Sequence, residues 1–514
     1  MDNQGMNKMA KTTSSSSSMV EDDDRISKLP DPLIIHILSS LPTEQVVRTC
    51  ILSKRWNHIW YSVPTLFFSN NITNISTHRT AKNEVVRKQG RDKFYSCVEK
   101  YLEHRKKGMH SIVDSVILTS FTLKMKGYYQ TSKAEVLDKW LAFAVENKVK
   151  EMYLWIDRDE ACDGEDMYDY VFYCLPKIIE SARYLTDLEL NGVELDTSNF
   201  DFPSLKALSL VYVRSSCAVK NGEAFKFLLG CPSLEKLRLH KYYFKRVSSF
   251  TEDEVRLESL SLKFLELRDT RYRKLEVEAM NLESLVLIGV TEYEIDISAC
   301  KKIRNLSLDD NGRNFNLSLH DLISSSPLLE NLTLNFCYNY NNHFKISGQN
   351  LKSFIFKNCC LNKKRIKSKI KVTIESTPKL EYFYYEGHID LNMSIEPSNS
   401  LNGKIVLFEK DHHVYEGYDA VWFTDLLNFL LNLNCSWNTV ILHAKNFESL
   451  TWPEKLKKVC RSPLLKWKHL KVNIEYGYAF GVSRKKILAL KDSLLWISPS
   501  LETLSIDGRK IKIL

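Results

Sequence analysis

Few residues of this chain occur at spacings that perform chemistry. Asp411, His412 and His413 are adjacent, but they lie in a short polar stretch that favours a solvated turn over a metal site. The sequence contains no GxGxxG, GxxxxGKS/T or GxSxG motif, so neither a phosphate-binding loop nor a nucleophile elbow is indicated. No arrangement of cationic neighbours that would lower a thiol pKa is visible in the sequence around Cys231 or Cys300. We therefore expect no catalytic residue, no cofactor and no metal, and a chain that is not an enzyme.

The composition indicates a globular protein of a reducing compartment. Hydrophobic residues make up 44% of the 514 and charged residues 26%, which is ordinary for a globular protein. The twelve cysteines are scattered without a CxxC pair, which suits an intracellular location, in the nucleus and/or the cytoplasm. No apolar signal core opens the chain, and no apolar run approaches the ~18 residues that cross a bilayer. We expect no membrane partner.

The net charge of +9 is mild for this length. A basic run at 363–371 could serve nuclear import or contact nucleic acid, but such runs are more often solvated faces. It lacks the aromatic interleaving and the fold motif of nucleic-acid-binding modules. We therefore expect no nucleic-acid partner.

Residues 24–68 contain start and stop signals for three short helices. Asp31 can cap the first, with Pro32 at the opening position, where its missing N–H costs nothing. Thr43 can cap the second helix and Ser53 the third. A three-helix unit preceded by a disordered acidic and serine-rich segment, residues 1–23, is predicted.

This three-helix unit has more apolar surface than it can bury by itself. Trp56, Ile59 and Trp60 share one face of the third helix at positions i, i+3 and i+4. A unit of about 45 residues is near the size at which a hydrophobic core of its own gives only marginal stability. Since tryptophan is a favoured anchor at interfaces, we expect another protein to cover part of the unit.

The unit contains a characteristic set of residues: Leu29-Pro30-Asp31, Ile37-Leu38, Leu41-Pro42, Leu52 to Trp56, Trp60, Val63-Pro64, Leu66 and Phe68. In these residues the segment resembles an F-box, in particular the F-box of the plant F-box/leucine-rich-repeat group. The resemblance implies docking to a Skp-type adaptor, which links F-box proteins to a cullin-based ubiquitin ligase. By position, the candidate adaptor-binding residues are Leu29, Pro30, Ile34, Ile37, Leu38, Leu41, Pro42, Leu52 and Trp56. Leu52 and Trp60 in particular could instead hold the three helices together.

A six-residue phrase, apolar-x-x-apolar-x-apolar, recurs beyond the F-box-like segment. Copies of this phrase begin 20 to 29 residues apart, which is the period of leucine-rich repeats. They occur at 185–190, 205–210, 234–239, 257–262, 282–287, 303–308 and 329–334. Degenerate copies occur at 351–356 and 380–385. Alternate residues of such a strand face opposite sides, so two leucines point inward and stacked neighbours build a continuous core. Segments 223–230 and 319–324 look like short return helices. An ordinary open sheet with helices is the rival interpretation.

The flanks of the array are less regular. Phrases at 113–118 and 149–154 extend it towards the N-terminus, with core-forming helical stripes around Trp140 and around Val98. Residues 401–514 resemble the FBD module of plant F-box/leucine-rich-repeat proteins, and can cap the exposed apolar end of the last repeat. The predicted fold class is an α+β or α/β solenoid: F-box 24–68, linker and connecting helix 69–110, irregular leucine-rich-repeat horseshoe 111–400 and FBD-like cap 401–514.

The leading functional hypothesis is a two-ended adaptor, whose F-box engages a Skp-type protein and whose concave repeat face holds a target protein for ubiquitination. The alternative is a repeat-based binding or scaffold protein that acts outside a ligase. A third possibility, a small molecule completing the target site, has no support in the residues. The aromatic clusters at 338–340 and 382–385 could anchor a partner or pack degenerate repeats. No residue pattern identifies the target.

Overall fold

The computed structural model describes residues 26–70, 81–109, 118–156, 172–218, 224–245, 254–290, 294–310, 319–335, 343–358, 371–389, 392–395, 401–408, 418–433, 436–475 and 484–513, except residues 27, 128, 199, 271 and 273. Several predictions fall outside these residues: the disordered N-terminus, the aromatic cluster at 338–340, the histidine pair 412–413 and most of the basic run at 363–371. The buried residues form one continuous core cluster from the first helix to the last strand.

The three predicted helices are present at Asp31–Leu38, Thr43–Arg48 and Lys54–Ser62, with a short 3-10 turn at Thr49–Ile51. Of the three predicted caps, only that of Ser53 is confirmed: its hydroxyl accepts the Trp56 N–H at 3.3 Å. The other two were wrong, because Pro30 and Pro42 occupy the cap positions and make no side-chain cap. Their fixed φ, near −60°, starts each helix without a capping side chain.

One long sheet runs through the described part of the chain. Successive strands are parallel neighbours, except that the last is antiparallel. The seventeen strands described are Thr65–Ser69, Ser120–Lys124, Glu151–Trp155, Asp187–Asn191, Ala207–Val211, Lys236–His240, Phe264–Arg268, Ser284–Ile288, Asn305–Asp309, Asn331–Asn335, Ser353–Asn358, Tyr382–His388, Leu401–Phe408, Trp437–Ala444, Trp467–Ile474, Thr503–Ile506 and Arg509–Ile511. This confirms the predicted solenoid fold class.

The strands alternate buried and half-buried residues, as the repeat phrase predicts. In strand after strand the second and fourth residues are buried, for example Leu188 and Leu190 beside Leu208 and Leu210. Because the strands are in register, these leucines form continuous rows on one face of the sheet. The residues between them form the opposite, outward face.

Five consecutive strands end in the same left-handed corner. The next residue has a positive φ at Gly192, Tyr212, Lys241, Asp269 and Gly289, between 48° and 75°. The N–H of each corner residue donates to the last residue of the neighbouring strand, as from Gly192 to Val211 O at 3.0 Å. The corners therefore stack with the strands and turn the chain away from the long sheet at the same point in each repeat.

One predicted repeat copy was placed in the wrong frame. The phrase at 257–262 is not a strand of the long sheet, because Leu257 lies in a return strand and Leu260 is exposed. The copy in the long sheet is Leu262-x-x-Leu265-x-Leu267, all three buried. The phrase predicted at 113–118 lies mostly outside the described residues. The described strand is Ser120–Lys124, which buries Phe121 and Leu123, and Leu118 is buried just before it.

The return segments are more often strands than the predicted helices. The helix at Leu319–Ser324 is confirmed, and the segment 223–230 contains a 3-10 helix at Lys226–Gly230. Elsewhere the chain returns through three short parallel sheets. The first contains Tyr173–Cys174, Val193–Leu195, Arg214–Ala218 and Tyr243–Lys245, and the second contains Glu254–Glu258, Lys274–Glu278 and Glu294–Asp296. The third contains His343–Ile346, Lys371–Ile374 and Asn392–Ile395.

Charges alternate along one edge of the long sheet, immediately before successive strands. The residues are Lys206, Glu235, Lys263, Glu283, Arg304, Glu330, Lys352 and Glu381. Glu330 lies between two cations, 2.5 Å from Arg304 and 2.8 Å from Lys352, and Lys263 pairs with Glu235 at 3.3 Å. The alternation favours the observed stacking order of the repeats, since like charges on neighbouring strands would repel.

The C-terminal part continues the same sheet. Strand Leu401–Phe408 pairs directly with Tyr382–His388, and the helices Ala420–Asn432, Glu454–Val459 and Arg484–Ile497 separate the later strands. The array ends in a hairpin, where Arg509–Ile511 pairs antiparallel to Thr503–Ile506. Asp507 and Gly508 form its turn, both with positive φ, as a two-residue hairpin requires.

Two helices precede and follow the strand Ser120–Lys124, and the first of them connects the N-terminal unit to the array. Ala81–Met109 buries Tyr95, Val98 and Leu102, and Ala134–Glu146 buries Leu137, Trp140 and Leu141. The three-helix unit itself adjoins the sheet, since the strand Thr65–Ser69 follows it immediately and pairs with Ser120–Lys124. The N-terminal unit thus also covers the first end of the long sheet.

Candidate protein-binding surfaces

The structure divides the nine candidate adaptor-binding residues into three groups. Pro30, Ile37 and Leu52 are exposed, Leu29, Leu41 and Pro42 are half-buried, and Ile34, Leu38 and Trp56 are buried. Ile34 and Leu38 lie one turn apart on the inner face of the first helix, and Trp56 packs with Ile59 and Trp60 in the core. These three buried side chains support the surface from beneath, because a partner cannot reach them while the unit is folded.

Two exposed residues were missed by sequence reasoning. Leu33 lies four residues before Ile37 on the outer face of the first helix, and Ile51 lies beside Leu52. The exposed fractions are 51% for Leu33, 52% for Ile37, 87% for Ile51 and 62% for Leu52. The i, i+4 spacing of Leu33 and Ile37 was the available signal. We call these four residues the apolar F-box surface.

An arginine links the first helix to the third. Arg55 Nε donates to Asp31 Oδ1 at 2.8 Å, and the same guanidinium donates to Leu29 O at 2.5 Å. The N-termini of the two helices are thereby held together. Leu33 follows Asp31 by two residues in the first helix, and Leu52 precedes Arg55 by three residues, just before the third helix begins.

A second arginine fixes the unit to the array. Arg105, on the connecting helix, is 1% exposed, donates to Val63 O at 2.6 Å and to Trp60 O, and stacks 5.1 Å from the centre of the Trp60 ring. Trp60 lies in the last turn of the third helix and Val63 is its C-cap residue, so both carbonyls belong to the helix C-terminus, where a cation is favourable. Burial lowers the pKa of Arg105 to about 10, so it remains a cation at neutral pH.

The outward face of the long sheet is a second surface available to a protein. Of the aromatic cluster at 382–385, Phe383 and Tyr385 are buried, whereas Tyr382 and Tyr384 face outward. Tyr384 donates to Glu386 at 2.9 Å, and Glu386 pairs with Lys357 at 3.1 Å. The interpretation that the cluster packs the repeat is confirmed for Phe383 and Tyr385, while a partner-anchoring role of the outward Tyr382 and Tyr384 stays a prediction.

The described residues offer no other chemical centre. Among them, no three His, Cys, Asp or Glu side chains are placed to hold a metal ion. None of the helices that the structure describes combines the length and the apolar character needed to cross a bilayer. Burial raises the pKa of the Cys231 thiol to about 12 and also raises the pKa of the Cys300 thiol. Neither Cys231 nor Cys300 is therefore activated as a nucleophile.

Two families of known proteins match separate segments of the chain. The F-box domain family matches residues 26–68, and the family described as "At1g61320/AtMIF1, LRR domain" matches residues 110–347. An F-box/FBD/LRR-repeat protein of Arabidopsis thaliana is 29% identical over 320 residues, 60% of this chain and 62% of that protein. A probable FBD-associated F-box protein of the same plant is 30% identical over 260 residues, 50% of this chain and 52% of that protein.

A further relative extends the same picture. A putative F-box/FBD/LRR-repeat protein of Arabidopsis thaliana is 27% identical over 338 residues, 60% of this chain and 68% of that protein. The chain thus spans about half to two thirds of these curated relatives. The combination of an F-box, leucine-rich repeats and an FBD-like module, predicted from the residues, is confirmed, while the domain boundaries stay predictions.

Proposed function

We propose that this chain, an F-box and leucine-rich-repeat protein of the plant type with an FBD-like module, is the substrate-recognition subunit of a Skp–cullin–F-box ubiquitin ligase. Its F-box docks to the Skp-type adaptor, and through it to a cullin, while the repeats bind the target protein. The chain performs no acyl transfer itself. It raises the effective concentration of the target at the ubiquitin-conjugating enzyme, which is catalysis by proximity.

The apolar F-box surface is the observation that carries this proposal. Four large aliphatic side chains, each more than half exposed, occur within a unit of about 45 residues. Burying one fully exposed Leu or Ile is worth about 1.5–3 kcal/mol. Covering these four partly exposed side chains would therefore contribute roughly 4–7 kcal/mol before the costs of association. Because association itself costs about 4–15 kcal/mol, these side chains would supply a large share of the binding free energy, and other contacts of the F-box would supply the rest.

The fixed junction between the F-box and the array supports a positioning role. Phe67 N–H donates to the Thr43 hydroxyl at 2.8 Å, and the Thr65 hydroxyl donates to Ser39 O at 3.0 Å. Together with Arg105, these contacts attach the helices to the first strand of the sheet. A target held on the repeats would then stay at a defined orientation to whatever binds the F-box.

Isothermal titration of the full chain with a purified plant Skp-type adaptor tests the proposal. Replacing Ile37 and Leu52 together by Ala should weaken binding by about 2 kcal/mol, roughly 30-fold in Kd. The double variant Leu260→Ala, Met280→Ala is the matched control, because both side chains are more than half exposed but belong to the array. Equal Kd values for both folded double variants would reject the assigned surface.

The alternative, a repeat-based binding protein outside any ligase, is favoured by one observation. The F-box covers the first end of the long sheet through the parallel pairing of Thr65–Ser69 with Ser120–Lys124, so it also suits a purely structural cap. Co-purification with the tagged chain distinguishes the two. A cullin in the purified complex supports the ligase subunit, and its absence while a target is retained supports the scaffold.

We also propose that the protein works in the nucleus and/or the cytoplasm, without a nucleic-acid or membrane partner. The scattered cysteines support a reducing compartment. Imaging of a fluorescent fusion tests this location. Retention of the fusion in the secretory pathway would contradict it.

A further inference from the structure

A basic segment near the end of the chain displays two aliphatic side chains to solvent. It comprises the helix Glu454–Val459 and the loop that leads into the strand Trp467–Ile474. Val459 is 82% exposed and Leu464 is 64% exposed. Among the described large hydrophobic residues, only Ile51 of the apolar F-box surface is more exposed than Val459. We call residues 454–466 the basic segment.

Leu464 adopts a backbone conformation that favours glycine. Its φ is 50°, in the left-handed region that leucine rarely adopts. A glycine at this position would make the same turn without strain, and the exposed leucine side chain contributes little to the core. The fold therefore does not account for a leucine here, whereas a contact with another molecule would.

The loop is held in place by the helix Arg484–Ile497. The Ser462 hydroxyl accepts the Leu464 N–H at 3.2 Å and donates to Trp496 O. The Leu465 N–H donates to Ile497 O at 3.0 Å. Because these bonds fix the backbone of the loop, a partner that covers Leu464 has little conformational entropy to remove from it.

The charges of the basic segment are unbalanced. It contains five cations and one carboxylate, a net charge of +4 within thirteen residues, whereas the whole chain carries +9. Glu454, the one carboxylate, already pairs with Lys457 at 2.8 Å. In the part of the chain that the structure describes, no carboxylate pairs with the other four cations, which are all exposed: Lys455, Lys458, Arg461 and Lys466. An acidic partner would supply their counter-charges.

Exposed aliphatic side chains among cations favour a polypeptide over nucleic acid or a lipid surface. Contacts with the phosphates of nucleic acid use the cations alone and would leave Val459 and Leu464 in water. Helices that lie on a lipid surface bury a continuous apolar face, whereas four of the six residues of helix Glu454–Val459 are charged. An acidic polypeptide with aliphatic side chains can engage the cations and the aliphatic residues together.

We propose that the basic segment docks an acidic segment of a partner protein, in which aspartate or glutamate residues alternate with large aliphatic residues. The partner's carboxylates pair with the four exposed cations, and its aliphatic side chains cover Val459 and Leu464. The inference goes beyond the proposed function, because this surface lies in the predicted FBD-like module and needs neither the adaptor nor the outward face of the repeats.

Fluorescence anisotropy of a defined peptide tests the proposal. The probe is a fluorescein-labelled peptide of repeating glutamate, leucine and glycine, titrated with the full chain at low ionic strength. The double variant Val459→Ala, Leu464→Gly removes both aliphatic side chains but keeps the left-handed turn, and should raise Kd about tenfold or more. The double variant Lys458→Gln, Arg461→Gln should also raise Kd and should reduce its dependence on salt.

Two matched controls come from the array. Leu229→Ala, Leu260→Ala removes side chains that are 67% and 70% exposed, and Lys206→Gln, Lys236→Gln removes two exposed lysines. Each control should change Kd less than about twofold. Equal weakening by a control and its test variant would overturn the proposal, as would the absence of binding by the wild-type chain.

Comparison ligands test the chemistry of the partner. A peptide with serine in place of leucine, and one with glutamine in place of glutamate, should each bind about tenfold more weakly than the probe. Vesicles of anionic phospholipid and duplex DNA should not displace the probe. Equal affinity for either altered peptide, or displacement by vesicles or DNA, would overturn an acidic polypeptide as the occupant. No adaptor is present in these titrations, so their outcome does not depend on docking by the F-box.

Discussion

Arg105 offers the clearest prediction about how the F-box is held. It is buried without a carboxylate partner among the described residues, and its contacts are the carbonyls of Trp60 and Val63 and the Trp60 ring. Replacement by Met keeps most of the volume of the side-chain stem but removes every donor. We predict that Arg105→Met loosens the F-box while leaving the far end of the array unchanged.

The expected loss of stability in Arg105→Met follows from the hydrogen bonds that the Trp60 and Val63 carbonyls keep after the substitution. Trp60 O still accepts the Val63 N–H at 3.3 Å, whereas Val63 O loses the one side-chain donor described for it. An unsatisfied buried acceptor costs about 1–3 kcal/mol, and losing the cation–π contact costs about 1 kcal/mol. Removing a buried charge, whose desolvation lowers the Arg105 pKa to about 10, offsets part of this loss. The expected net loss is about 2 kcal/mol.

Native-state hydrogen exchange measures this loss locally, which suits a long array better than a global melt. Amides of helix Lys54–Ser62 should exchange about 30-fold faster in Arg105→Met, whereas those of strand Trp467–Ile474 should be unchanged. Lys106→Met is the matched control, because Lys106 is the next residue of the same helix and is exposed. Exchange in Lys54–Ser62 within about threefold of this control would refute the assigned role of Arg105.

Two further predictions concern packing and charge. Trp56→Ala should destabilise the F-box by about 3–5 kcal/mol, because Trp56 is only 5% exposed and its removal leaves a cavity. Thermal unfolding should show this loss of stability. A variant of wild-type stability that only binds the adaptor more weakly would contradict the prediction. The hydrogen bonds from Lys352 and Arg304 hold the pKa of Glu330 below its usual value of 4.5. The ionised Glu330 therefore stabilises the folded protein at pH values above 4.5, and this stabilisation is lost as the pH falls through the depressed pKa. Urea midpoints of wild type and Glu330→Gln should therefore differ at neutral pH and converge as the pH falls through the depressed pKa, and a difference that persists below it would contradict the pairing.

The sequence predicted the repeat strands because each copy alternates two inward leucines with an outward residue. It misplaced the copy at 257–262 because two overlapping phrases share Leu262, and local pattern cannot separate them. The choice is made by stacking, since Leu265 and Leu267 lie opposite Leu237 and Leu239 of the neighbouring strand. That information lies some 28 residues away in the chain.

The candidate site was predictable as a segment but not as a surface. The apolar residues of helix Asp31–Leu38 occur around more than one face, so the pattern did not say which face packs inward. The inner face is set by packing against the third helix within the common core, where Ile34 and Leu38 are buried while Leu33 and Ile37 stay exposed.

The pairing of Glu151 with Asp187 was not predictable from the sequence. Glu151 and Asp187 are 36 residues apart in the chain, and nothing in either phrase indicates that they become direct neighbours. Only the parallel register of the two strands brings these two residues opposite each other.

The central claim is that the exposed aliphatic side chains of the F-box are covered by a Skp-type adaptor. Hydrogen exchange of the full chain, with and without saturating adaptor, tests it most directly. The amides of helix Asp31–Leu38 and of the turn Thr49–Ile51 should exchange more slowly in the complex, while those of the strands from Asp187–Asn191 onward keep their rates. Slowing confined to the repeats, or no change anywhere at saturation, would contradict the account.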